Sequence, residues 1–261
     1  MKYDRTISLM GEAAFERLQQ TKVILFGVGG VGGWCAEALV RTGIQHLTIV
    51  DFDVVADTNI NRQVVATAAN IGQPKVEQMR QRLLSIVPEA DIVAIHQRYT
   101  AETAEQFDLS QYDIIIDAID SVEDKILLIH NATATEAVLF SSMGAGRKFD
   151  PQQVRVAEFW KVEGCPLARA LRTKMKKTGC LPLRKFQCVY SKESSFSEGG
   201  PTAKRSYSEA ILQQSGLSGG AGRPTGSLAP VVGTFGFTLA SLAINTTINS
   251  LNSKLNNYSQ L

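Results

Sequence analysis

Arg62, Lys75 and Asp120 are the side chains whose types and setting suggest chemistry. Arg62 lies in the polar run Asn59-Ile60-Asn61-Arg62-Gln63, Lys75 opens a helical stretch after Pro74, and Asp120 follows the apolar run Ile114-Ile115-Ile116. Two cations suit a triphosphate, and a carboxylate suits Mg²⁺, which prefers oxygen ligands and phosphate. Such a set fits displacement at a phosphate, where positioning and charge stabilisation supply most of the catalysis. His46, His96 and His130 are scattered and read as structural.

These side chains need a scaffold that brings them to one crevice. Lys22 to Trp34 supplies its centre. Val23 to Phe26 reads as a buried parallel strand, followed by Gly27-x-Gly29-Gly30-x-Gly32 and a helical pattern to Thr42. This is the strand–turn–helix of a nucleotide-binding fold. Gly27 allows the tight turn, Gly29 lets backbone N–H groups approach phosphate, and Gly32 lets the helix pack on the strand. A second strand, Leu47 to Val50, ends at Asp51-Phe52-Asp53, and Asp51 lies 24 residues after Gly27, placed to bond ribose hydroxyls. On that spacing NAD is the default ligand, but nothing marks a hydride-transfer site.

Further strands are predicted at Ile92–Ile95, Asp113–Asp117 and Val138–Ser141, with helices over 75–87 and 122–136. Alternation of this kind predicts an α/β fold with a Rossmann-like, doubly wound, mostly parallel sheet. Residues 154–160 alternate as an antiparallel strand would, 166–177 form a basic helix, and 186–190 form another strand. They constitute a C-terminal antiparallel extension. Residues 191–226, rich in Ser, Gly and Lys, read as a long flexible loop. An apolar helix over 231–251 closes the chain; its charge-free stretch 227–244 contains Pro230, Gly233 and Gly236 and reads as buried, not as a membrane span. Another amphipathic helix is expected over 11–20.

At 261 residues the chain suits one domain with excursions. Its 1–150 half would bind nucleotide, and its 151–261 half would serve substrate and dimer contacts. Charge divides the same way: residues 1–150 carry 13 Lys and Arg against 20 Asp and Glu, whereas 151–261 carry 14 against 5. The cationic half argues for a polyanionic partner. Residues 1–20 are polar and amphipathic rather than a basic-then-apolar leader, so a cytoplasmic protein is expected. The cysteines 35, 165, 180 and 188 form no C-x-x-C pair, which argues against structural zinc.

Taken together, Gly27-x-Gly29-Gly30-x-Gly32, Asp51-Phe52-Asp53, Asn59-x-x-Arg62-Gln63, Gly72-Gln73-Pro74-Lys75 and Asp117-Ala118-Ile119-Asp120-Ser121 resemble the adenylating enzymes of the ThiF, MoeB and ubiquitin-activating superfamily. The resemblance implies binding of ATP with Mg²⁺ and attack of a carboxylate on the α-phosphate. It also implies roles. The glycines Gly27, Gly29, Gly30 and Gly32, with Asp51 and Asp53, would cradle the nucleotide, Asp51 on the ribose. Asn59, Arg62 and Lys75 would contact phosphates, and Asp120 would bind Mg²⁺. Arg5 resembles the N-terminal arginine that such homodimers insert into the partner's site.

The substrate class follows from a narrower resemblance. Ala118–Val122, Gly144-Ala145-Gly146-Arg147-Lys148-Phe149-Asp150-Pro151, Cys165-Pro166-Leu167-Ala168-Arg169 and Thr234-Phe235-Gly236-Phe237 are similar to the tRNA threonylcarbamoyladenosine dehydratase family. That implies ATP-dependent activation of the threonyl carboxylate on tRNA, beside the anticodon, followed by ring closure. The alternative is an activator of a ubiquitin-like or sulfur-carrier protein; the missing C-x-x-C pairs and the basic half disfavour it. A non-catalytic nucleotide-binding protein is disfavoured by Arg62, Lys75 and Asp120. Residues 161–192 carry nine Lys and Arg against Glu163 alone, a surface suited to tRNA phosphates, with Phe186 and Tyr190 nearby for base stacking. The segment 216–230 lacks the cysteine that some family members carry there, and Cys188 alone matches the family's setting. A sulfur-transfer partner is therefore not expected to be required.

Overall fold

The computed structural model describes residues 2–193 and 226–258, with side chains described as far as residue 249. The expected strands form one seven-stranded sheet: β1 (Lys22–Phe26), β2 (His46–Val50), β3 (Asp91–Ile95), β4 (Ile114–Asp117), β5 (Val138–Ser142), β6 (Val154–Glu158) and β7 (Gln187–Ser191). Their order is β3-β2-β1-β4-β5-β7-β6. All neighbours are parallel except β6 and β7, which are antiparallel. The basic half thus continues the same sheet. The chain runs outward from β1 through β2 to β3, then returns to β4 on the other side. The carboxyl ends of β1 and β4 flank that reversal, where α/β sheets open a ligand crevice.

The described α-helices are α1 (Asp4–Met10), α2 (Glu12–Gln20), α3 (Gly32–Thr42), α4 (Lys75–Ile86), α5 (Val122–Ala134), α6 (Pro166–Thr178) and α7 (Ala229–Tyr258). Alternate strand residues serve opposite faces. Val23, Leu25, Leu47, Ile49, Ile114 and Ile116 pack in one cluster with α3, α4 and α7. Ile24, Phe26, Ile115, Leu139 and Cys188 pack in the other with α5 and α6.

The last helix meets the length and composition of a membrane span over Ala229–Asn249, with half of that window buried. Val231, Phe235, Leu239 and Ala243 are fully buried, as in a core helix. A Cβ added at Gly236 would stand 2.6 Å from Val31 O and 2.8 Å from Trp34 Cβ, so α7 lies close against the start of α3.

Some boundaries differ from expectation. The strand predicted over 154–160 stops at Glu158, whose side chain accepts from Trp160 N–H and turns residues 159–161 into a 3-10 helix. The helix predicted over 11–20 is preceded by a separate one, α1, because Gly11 at φ 82° breaks the run. The loop predicted to start at residue 191 starts later, since Ser191 pairs with Val154 at the end of β7. Residues 194–225 of that expected loop lie outside the described residues.

Candidate active site

The carboxyl ends of β1, β2, β4 and β5 surround a cleft of about 530 Å³. Gly27, Gly29, Gly30, Asp51, Asp53, Asn59, Arg62, Lys75 and Asp120 all line it. The exceptions among the predicted residues are Gly32, which lies beneath the turn, and Arg5, which is exposed on α1 and is not part of this chain's cleft lining.

The glycine turn is built by exclusion of side chains. Gly27 has φ 91°, and a Cβ there would meet Ala118 O at 2.7 Å. A Cβ at Gly32 would stand 1.8 Å from Gly27 O. The turn therefore packs directly on the loop after β4, with bare backbone towards the cleft. Helix α3 begins there, offering its N-terminal N–H groups to an anion.

Asp51 ties this turn to β2. Its Oδ2 accepts from Val28 N–H at 2.6 Å and its Oδ1 from Asp53 N–H at 2.9 Å. Burial pushes its carboxyl above the usual range, although those two N–H donors and nearby Lys75 pull the other way. The neighbouring Asp53 is more open, and its Oδ2 accepts from Lys75 Nζ at 2.7 Å.

The two cation motifs owe their spacing to backbone geometry. Asn59 O accepts from both Arg62 N–H and Gln63 N–H, while Asn59 Oδ1 accepts from Ala56 N–H at 3.0 Å. Trp34 Nε1 donates to Arg62 O at 3.2 Å and fixes the turn to α3. Gly72-Gln73-Pro74-Lys75 runs back along β2's extension: Val55 N–H donates to Gln73 O and Lys75 N–H to Asp53 O. Lys75 is thereby held 5% exposed at the head of α4. Arg62 Nη1 donates to Thr58 O and to Asn61 Oδ1.

Beyond β4, Asp120 is exposed at the cleft. The loop that carries it is anchored by Asp117 and Lys125, fully buried and 2.8 Å apart. Asp117 also accepts from Ser141 Oγ and from Ile119 N–H, and Lys125 Nζ donates to Ile119 O. Among the described residues no three His, Cys, Asp or Glu side chains gather into a metal cage. The exposed Asp120 carboxylate shares the cleft with Arg62, Lys75 and the side-chain-free glycine turn, a donor set that fits a hard cation carried in on phosphates.

Several lining residues carried no sequence signal. Gln97, Arg98 and Tyr99 arrive from the loop after β3, and Asp124 from the first turn of α5. Met143 to Gly146 enter from the segment after β5, and the basic half also reaches the cleft: Leu167 and Ser227 line it, and Val232 packs against Gly30. Gln63 is 6% exposed, and its Oε1 has no hydrogen-bond partner among the described residues.

One expectation fails. Phe186 and Tyr190 cannot stack on bases, because each is 4% exposed. Phe186 stacks on Phe159 in the core, with ring centroids 5.0 Å apart. Trp160, just before the basic segment, is exposed instead, with Lys176 Nζ 5.7 Å from its ring centre. Two cations of the basic segment are committed to the protein's own carbonyls: half-buried Arg172 donates to Phe159 O, Trp160 O and Val162 O, and exposed Arg184 to Thr133 O and Ala137 O. Lys161, Arg169, Lys176 and Lys177 remain exposed. Cys165 and Cys188 are buried, and burial pushes the Cys188 thiol well up, away from a reactive thiolate.

The ThiF family model matches residues 3–261. The chain belongs to the ThiF family. Within that family it is 34% identical to the tRNA threonylcarbamoyladenosine dehydratase of Escherichia coli, over 93% of this chain and 92% of that protein. It is 39% identical to the Bacillus subtilis protein of the same name, over 74% of this chain and 75% of that protein. The E. coli dehydratase solved in complex with ATP superposes with a TM-score of 0.83 at 31% identity, covering 97% of this chain and 96% of that one. The ThiF-family sheet, with its antiparallel β6–β7 pair and long last helix, is therefore shared along nearly the whole chain.

Proposed function

We propose that this protein is an ATP-dependent tRNA-modifying enzyme. It dehydrates threonylcarbamoyladenosine beside the anticodon to its cyclic form, by adenylating the threonyl carboxylate. The relatives' names suggest the substrate. The observation that carries the reading is the placement of Leu167: this residue of the first turn of basic helix α6 lines the cleft that holds Arg62, Lys75 and Asp120. The helix that carries Arg169, Lys176 and Lys177 thus starts at the nucleotide cleft.

In this reading the glycine turn and the α3 N-terminus bind phosphates, and Asp51 or Asp53 takes the ribose. Arg62 and Lys75 stabilise the charge that develops on the phosphates as the substrate carboxylate attacks the α-phosphate and pyrophosphate leaves. Mg²⁺, held by Asp120, would add a charge clamp on the phosphate oxygens. Ring closure then expels AMP. Because the attacking atom belongs to the same modified nucleoside, correct holding supplies most of what that step requires. Neither step needs a thiol, in keeping with the burial of Cys165 and Cys188.

The remaining parts of the proposal concern assembly. Residues 1–261 form one adenylating domain, supported by the single sheet that joins both halves. The protein works as a cytoplasmic homodimer in which Arg5, exposed on α1, enters the second copy's cleft; a strictly monomeric enzyme on gel filtration would refute this. The test of the function is direct. The protein is incubated with Mg-ATP and tRNA bearing threonylcarbamoyladenosine, and the nucleosides are weighed after digestion. Loss of one water with formation of AMP is expected; unchanged nucleoside, with pyrophosphate exchange driven instead by a small carrier protein, would overturn it.

A further inference from the structure

The nucleotide's path along the sheet leaves one end unassigned. Phosphates at the turn after β1 and ribose at the carboxylates after β2 direct the base outward, towards the end of β3. Arg98 stands there. Its Nε donates to Asp124 Oδ2 at 2.7 Å, and its guanidinium carbon lies 5.3 Å from the centre of the Phe52 ring. Arg98, Asp124 and Phe52 all line the cleft. Asp124 is 7% exposed in the first turn of α5, where the helix N-terminus favours its charge.

This arrangement fixes a planar cation while leaving most of it uncommitted. Asp124 takes the Nε donor, and Nη1 and Nη2 donate to no other protein group among the described residues. Phe52 covers one side of the guanidinium and is itself half exposed. A planar, always-charged group with spare donors is complementary to a purine, which offers a π face and ring-nitrogen acceptors. Arg98 comes from the loop after β3, on a different element from the glycine turn, Arg62 and Lys75.

The geometry points to Arg98 as the residue that receives the purine base of the nucleotide, with Asp124 as the positioning residue that holds its guanidinium against Phe52. This rests on the reading of the cleft as an ATP site, but not on the identity of the second substrate.

The experiment uses the full chain without tRNA. Binding of α,β-methylene-ATP and of inorganic triphosphate is measured by calorimetry for the wild type and for Arg98→Ala, Arg98→Lys and Asp124→Asn. Arg98→Ala is expected to weaken the analogue about tenfold, the scale of a lost, partly desolvated cation–π contact, and to leave triphosphate binding unchanged. Arg98→Lys should not restore affinity, because it keeps the charge and loses the plane. Asp124→Asn should weaken the analogue several-fold while thermal melting stays that of a folded protein. Analogue affinity within twofold of wild type in Arg98→Ala, rescue by Arg98→Lys, or equal losses for triphosphate would each overturn the proposal. A wild type that binds no analogue would overturn it together with the ATP reading. Failure to dehydrate tRNA, with analogue binding intact and Arg98-dependent, would overturn only the tRNA function.

Discussion

Lys75 Nζ lies 2.7 Å from Asp53 Oδ2, with the lysine side chain 6% exposed and the carboxylate 48% exposed. A cation is thus held nearly out of water by a partner that is itself half in water. One of the three ammonium donors is committed to Asp53, which leaves others for phosphate. Lys75→Met should lower kcat/KM for ATP by at least ~100-fold, the scale of losing one preorganised charge contact. The half-exposed Asp53 left behind stays solvated, so the melting temperature should change little. Asp120→Ala, at an exposed position, should give the same kinetic loss. Pyrophosphate release together with a thermal melt tests both; turnover within tenfold of wild type would mean that these residues were misassigned.

The pair Asp117–Lys125 makes the opposite prediction. Both side chains are fully buried, so removing one partner leaves an uncompensated charge. Lys125→Met should cost about 3–5 kcal/mol of stability in a urea titration. Ile119 N–H and O are both tied to this pair, so the loop bearing Asp120 should loosen as well. A variant as stable as wild type would show that the pair is not the anchor of that loop.

Glu37 sets an acid limit on the fold. It is 7% exposed on α3 and accepts from Arg82 Nε at 2.5 Å and Arg41 Nε at 2.9 Å. Burial alone would raise its carboxyl, but the hydrogen bonds from Arg82 and Arg41 outweigh burial and hold it below the usual range. A depressed folded-state pKa contributes stability above the unfolded carboxylate range, and that stability is lost as pH falls through the folded value. Glu37→Gln should therefore destabilise the protein at pH 7 by about 1.5–3 kcal/mol, with the difference shrinking at acid pH below that range. Melts across pH decide this; a difference that grows on acidification would contradict it.

The exposed cations of α6 should act on tRNA and not on nucleotide. Reversing Arg169, Lys176 and Lys177 to Glu should weaken tRNA binding and flatten its dependence on salt, because fewer phosphates are neutralised. Calorimetry with an ATP analogue should be unaffected. Equal tRNA affinity at low salt would move the RNA surface elsewhere.

The nucleotide half was legible because its determinants are local. A glycine spacing, an acidic strand end and an Asn-x-x-Arg-Gln turn each encode a backbone shape within a few residues. The hydrogen bonds from Arg62 N–H and Gln63 N–H to Asn59 O show why that last spacing holds. Arg98 and Asp124 stayed hidden because their pairing joins the end of β3 to α5, which no periodicity reports. Phe186 and Tyr190 were misread for a related reason. The alternation along β7 signals a strand, but α6 covers the face that an isolated antiparallel pair would leave open. Helix α1 was missed because it buries no residue, so no apolar stripe marks it.

The central claim is that a carboxylate attacks the α-phosphate of ATP. An isotope measurement tests it most directly. tRNA bearing threonylcarbamoyladenosine with ¹⁸O in the threonyl carboxylate is turned over with unlabelled Mg-ATP, and the released nucleotide is weighed. The account predicts AMP carrying one ¹⁸O from the carboxylate, alongside the dehydrated nucleoside. Unlabelled AMP, or ADP with label in inorganic phosphate, would contradict it.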